Sequence, residues 1–191
     1  MSRVITFSRT FPAYHPRRGE PTYFVEGILT ELEFDYTSKS YLVWLAFANP
    51  NISYSFLEKF WQSLTPNIKP KKHTIRNHKR PLKVGEYINP HCWAGKPYNK
   101  TEEGFWQIKF APDIEVKTRW EFEYKIIPKQ SIWLVKNVEV SVCDSYMQQW
   151  VNSEAVKTIA ANDGLSLTDF CNWFPKPFTG QIICWSDNVQ Y

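Results

Sequence analysis

The chain has 191 residues, enough for one sizeable core, and 43% hydrophobic against 22% charged residues is the balance of a soluble globular protein. A net charge of +4 permits polyanion binding without demanding it, and falls short of the strong basicity of a dedicated nucleic-acid domain. Cysteines at 92, 143, 171 and 184 include no CxxC pair, which excludes a zinc ribbon and a dense disulfide framework.

In chain order, MSRVITFSRTF lacks the apolar run of a signal peptide, and no apolar segment reaches about 18 residues. A reduced, cytoplasmic protein without a membrane span is therefore expected. Val4 to Phe7 (VITF) suits a first buried strand. FPAYHPRRGEP follows, with three prolines and one glycine, which is loop chemistry. In PTYFVEGILTEL, Phe24, Ile28 and Leu32 recur at helical spacing. YLVWLAFANP is apolar on every face, so periodicity alone cannot separate helix from strand; a helix is preferred. Ser53 can cap SYSFLEKFWQSL, whose Phe56, Leu57, Phe60 and Leu64 form one stripe. Residues 21 to 65 thus read as helical, and TPNIKPKK returns the chain to an extended path.

From Thr74 onward the period changes to two. In IEVKTRWEFEYKI, Val116, Thr118, Trp120, Phe122, Tyr124 and Ile126 share one face and charged residues the other, the signature of an antiparallel strand with one wet side. GFWQIKF before it and SIWLVKNVEV after it complete an expected meander. YMQQWVNSEAVKTIAANDG reads as a helix ending near Gly164. Ser166 to Asp169 (SLTD) resembles a capping box that starts a short helix ended by Pro175, and TGQIICW is a closing buried strand. The aromatic content of 17% fits such a β-rich core, and also allows a few rings to line a pocket or stack on bases.

The segment from Lys71 to Tyr98 holds seven of the 23 basic residues around the short strand HTIR. Alternation puts Thr74 and Arg76 on one face, with His73 and Ile75 on the other. Lys71 follows Pro70 and can fold over Thr74 if it lies in the turn that feeds the strand. KVGE is a tight turn in which Gly85 supplies positive φ, and WAGKPY is a second turn flanked by aromatics. These cations either solvate the loops or form a site. YHPRRGEP is a second basic loop, which either borders the same cleft or is a rigid connection.

The order ITFSRTF, KKHTIR, KVGE, a meander, DGLSLTDFCNWF and a closing strand resembles the ASCH superfamily, including bacterial and phage-borne members that share the GKPY turn. The resemblance covers most of residues 1–11 and 69–191, and it implies one α+β domain over 1–191. That domain would be a PUA-like, mostly antiparallel β-barrel with short helices before the last strand. Residues 12–68 depart from the minimal domain and would be a mostly helical insertion.

The resemblance further implies a cleft that accepts RNA or a modified nucleoside. Some small members are similar in carrying K-x-x-T-I-R and a distant acid, and remove an acyl group from the exocyclic amine of cytidine. Lys71 and Thr74 match that motif. At the acid's place stands Asp163 where those enzymes have glutamate, one methylene longer, and acyl transfer is sensitive to displacements of about 1 Å. Thr74 would be the nucleophile, Lys71 its base and Asp163 the orienting carboxylate, with Arg76 holding an oxyanion or phosphate. In a binding module without chemistry, Arg76, Lys79, Arg80 and Lys96 would contact phosphate while Trp93 or Tyr98 stacks on a base. A third possibility is a protein-partner domain that uses the helical insertion. The four histidines lack metal-ligand spacing, and no glycine-rich phosphate loop occurs, so neither metal nor cofactor is expected.

Overall fold

The computed structural model describes residues 2–77, 81–127, 130–135, 138–144, 149–151, 154–187 and 189, with backbone pairing alone between 124 and 155. In chain order come β1 (Ser2–Phe7), α1 (Phe24–Glu31), α2 (Lys39–Ala48), α3 (Tyr54–Gln62), β2 (His73–Asn77) and β3 (Tyr87–Trp93). Next are β4 (Gln107–Lys109), β5 (Ile114–Glu115), β6 (Thr118–Ile127), β7 (Gln130–Val135) and β8 (Val138–Asp144). The last are β9 (Gln149–Val151), α4 (Glu154–Asn162), α5 (Leu167–Trp173) and β10 (Phe178–Cys184). The content is therefore α+β, with the three early helices and the two late ones where the sequence places them. Among the described residues no helix is long and apolar enough to cross a membrane. They contain two sheets, and neither strand order closes on itself into a barrel.

By its contacts the chain divides into two compact units, each built from non-adjacent segments. The first comprises Met1–Pro12, Arg17–Lys71 and Tyr87–Ile114. Its sheet runs β1-β3-β4, with β5 also paired to β3. β1 and β3 are parallel, in register from Ser2 opposite Tyr87 to Phe7 opposite Cys92. Inward-facing Ile88 and Cys92 of β3 are fully buried, as are Phe110 beyond β4 and Ile28, Leu45 and Leu57 of the helices. Two polar anchors fix α2 to the strand region. The Tyr41 hydroxyl donates to the Phe110 carbonyl at 2.7 Å, and Asn49 exchanges two 2.9 Å bonds with the Lys109 backbone, acting as a substitute strand partner. α3 starts as expected, with the Ser53 hydroxyl accepting from Phe56 N–H at 3.3 Å.

The second unit comprises Ala13–Pro16, Lys72–Glu86 and Glu115–Tyr191. Its sheet has the order β2-β10-β6-β7-β8-β9, every neighbour antiparallel. Gly180 lets β10 lie between two strands, because a Cβ there would collide with the Arg76 carbonyl and the Phe178 ring. Ser166 caps α5 by accepting from Asp169 N–H at 3.1 Å while its hydroxyl donates to the Asp169 carboxylate at 2.8 Å.

Three sequence expectations are corrected. IEVKTRWEFEYKI is two strands, because the backbone of Val116 and Lys117 turns away to bond Glu86 and Cys184, at 2.8 and 2.9 Å. SIWLVKNVEV does continue the meander from β6, supplying the antiparallel pair β7 and β8. GFWQIKF supplies β4 to the first sheet rather than joining the meander. In YMQQWVNSEAVKTIAANDG only Glu154–Asn162 is helical; Gln149–Val151 instead pairs with β8, where a backbone ladder is on offer to the β-favouring Trp150 and Val151.

Candidate functional site

The hydrolytic set falls on both units. Lys71 belongs to the first unit and is only 1% exposed. Its N–H donates to the Gly27 carbonyl at 2.9 Å, and its ammonium lies 4.1 Å above the centre of the Phe24 ring. Thr74 and Asp163 belong to the second unit, and both are buried. The expected alternation along β2 does not appear in its burial, since His73 and Thr74 are both covered while Ile75 and Arg76 are half-buried. Asp163 sits where α4 ends, and Gly164 with φ of 77° and the Leu165-to-Ala160 backbone bond close that end. One Asp163 carboxylate oxygen lies 3.7 Å from Nε2 of the buried His73, a neighbour that the motif does not include.

Among the expected binding residues, Lys79 and Arg80 lie outside the described residues. Trp93 is half-buried at the end of β3, and Lys96 and Tyr98 are exposed on the turn beyond it. The Trp93 and Tyr98 rings are 4.8 Å apart at a tilt of 53°. Tyr98, the last residue of WAGKPY, holds a left-handed backbone, φ 62°.

That segment forms one wall of a cavity of about 440 Å³ inside the first unit. The volume is within the range of about 300–1,000 Å³ common for small-molecule sites. Its place follows from the topology. β1 and β3 are parallel, so both release the chain at the same end, where Arg9 and Trp93 line the cavity. Ligands of open α/β sheets also bind outside the carboxyl ends of strands. Tyr23 and Glu26 at the start of α1 supply another wall, and Ser63 and Thr65 beyond α3 a third. Thr22 secures the approach to α1 by donating its hydroxyl to the Ser8 carbonyl at 2.6 Å.

The polar groups of this cavity are held from behind. Arg9 is half-buried, donates to the Ser63 hydroxyl at 2.8 Å and lies 4.9 Å over the Phe60 ring, which leaves other guanidinium donors to a guest. Glu26 is 5% exposed, and its carboxylate accepts from Thr65 N–H over a long 3.4 Å. Burial raises its pKa above the usual carboxylate value, against smaller opposing effects of backbone N–H groups and Arg9. A cation, a desolvated carboxyl and two aromatic rings therefore share one cavity with the WAGKPY turn.

Sequence reasoning placed Trp93 near a site but missed Arg9, Tyr23 and Glu26. The available signal was Glu26 itself, a lone acid in the first turn of FVEGILTE, where every position from Phe24 to Leu29 is buried. Comparison with family models, with curated proteins and with solved structures finds no match for the chain.

Proposed function

We propose that this protein binds single-stranded RNA or a modified nucleoside, seating one nucleotide in the cavity at the carboxyl ends of β1 and β3. The observation that carries this function is the cavity's composition. Trp93 and Tyr23 offer rings for a base, Arg9 offers donors for a phosphate, and Glu26 offers an acceptor for a base edge. Lys96 and Tyr98, exposed on the bordering turn, suit the phosphate and base of a neighbouring nucleotide. The ASCH-like order of motifs supports the same function, and with it a PUA-like ancestry for the α+β fold.

The test is calorimetric titration with short single-stranded RNA at several salt concentrations. Affinity should fall as salt rises, because phosphate contacts release counterions, and Arg9→Ala should lower both the affinity and the salt slope. Salt-independent binding, or none at low salt, would refute the proposal.

Acyl removal from the exocyclic amine of cytidine is the second reading. It draws on the burial of Lys71, since a lysine base needs a desolvated amine. Release of free cytidine from acylated cytidine, lost in Thr74→Ala, is its expected result. Absence of turnover removes it.

A further inference from the structure

We propose that Glu26 selects the base, and that the base it selects is guanine. The inference rests on the cavity being a nucleotide site. Glu26 is the acid among the residues lining that cavity, and it is nearly all buried. An ionised carboxylate has two oxygens with about four acceptor sites and no donor. Thr65 N–H occupies one of them at 3.4 Å, and the nearby Glu26 backbone N–H also favours the charged form. Acceptor capacity towards the cavity remains after both. The Arg9 guanidinium donates one bond to Ser63, lies over the face of Phe60 and bears on Glu26 through space.

Of the four RNA bases, guanine presents two adjacent N–H donors on its Watson–Crick edge, the ring N1–H and the exocyclic amine. Uracil presents one donor between two acceptors. Adenine and cytosine each present an amine beside an acceptor nitrogen, which would face a carboxylate lone pair. A buried acceptor-only group thus matches guanine in two bonds and opposes the other bases in at least one contact. The α1–β3 geometry agrees with this role. Glu26 rises from the first turn of α1, and Trp93 ends β3, so the acid and the ring come to the same cavity from different elements.

The experiment is calorimetric titration of the full-length protein with GMP, AMP, CMP, UMP and IMP. GMP should bind at least about fivefold tighter than the other three RNA mononucleotides, the lower end for one good bidentate pair. IMP, which keeps N1–H and lacks the amine, should fall between. Glu26→Gln keeps the shape and an oxygen for Thr65 but puts a donor in place of an acceptor. It should bring GMP affinity close to that of AMP. Equal binding of all five nucleotides by the unaltered protein would overturn the assignment of Glu26 yet leave the cavity a nucleotide site. Preference for GMP that survives Glu26→Gln would do the same. No binding of any nucleotide would overturn both proposals.

Discussion

Gly27→Ala sets two effects of opposite sign against each other. In an exposed helix interior the change favours folding by about 1 kcal/mol, since alanine loses less backbone entropy than glycine. Gly27 is not exposed: a Cβ there would lie 2.9 Å from the Lys69 carbonyl oxygen and 3.1 Å from Lys71 Cβ. The Lys71 N–H also donates to the Gly27 carbonyl at 2.9 Å, so any retreat of this segment lengthens a backbone bond. Pro70 fixes φ in the middle of the opposing segment, which limits its ability to yield. Overpacking of this kind costs about 1–3 kcal/mol, and a weakened hydrogen bond adds about 0.5–1.5 kcal/mol. The expected net result is a loss of about 1–3 kcal/mol. In urea, with a slope near 2 kcal/mol/M, the midpoint should fall by about 0.5–1.5 M with the slope unchanged. A midpoint equal to or above that of the parent would show that helix propensity wins, and would refute close packing of residues 69–71 on α1.

Gly180→Ala should be more damaging, about 3 kcal/mol or more, because the colliding atoms include the Arg76 carbonyl of a paired strand; amide exchange along β2 should accelerate first. Glu26→Gln should stabilise the protein at pH 7. A carboxyl whose folded pKa is raised contributes its stability below the unfolded value of 4.5 and loses it as pH rises through the folded value, so the advantage of glutamine should vanish below about pH 4 in denaturation titrations. Burial pushes the Cys92 thiol up to about 12 from 9.0, so it should resist thiol reagents at pH 8 until the protein unfolds, whereas half-buried Cys171 should react before it. The same shift predicts that stability declines by up to about 1.4 kcal/mol per pH unit above pH 9 from this thiol, a component absent in Cys92→Ala.

Local signals carried much of the fold. Ser53 and Ser166 announced helix starts because an N-cap is a short-range device, and both hydroxyls make the bonds expected of them. Gly85 likewise marked its turn, with φ of 83°. What stayed illegible depends on partners distant in sequence. YINPHCW carries a proline that argues against a central strand, yet it lies between β1 and β4. Pairing with β4 spans only His91 to Trp93, so Pro90, which contributes just its carbonyl to Phe110 N–H, is outside that ladder. QWV was absorbed into a helical pattern because nothing local reveals the edge of β8 that it joins. The cavity was hidden for the same reason. Arg9, Glu26 and Trp93 are far apart in sequence, and only the parallel pairing of β1 with β3 and the placing of α1 unite them.

That parallel pairing also governs the order in which the chain can mature. β1 is made well before its ladder partner, which begins at Tyr87, after all of the early helices and β2 have been synthesised. During translation β1 therefore waits as an unpaired edge, and such edges invite foreign strands. Because the two units interleave along the chain, no single cut yields either intact: ending the chain at residue 86 would strand β1 and remove the wall that Trp93 builds. Expression of fragments should accordingly yield aggregates.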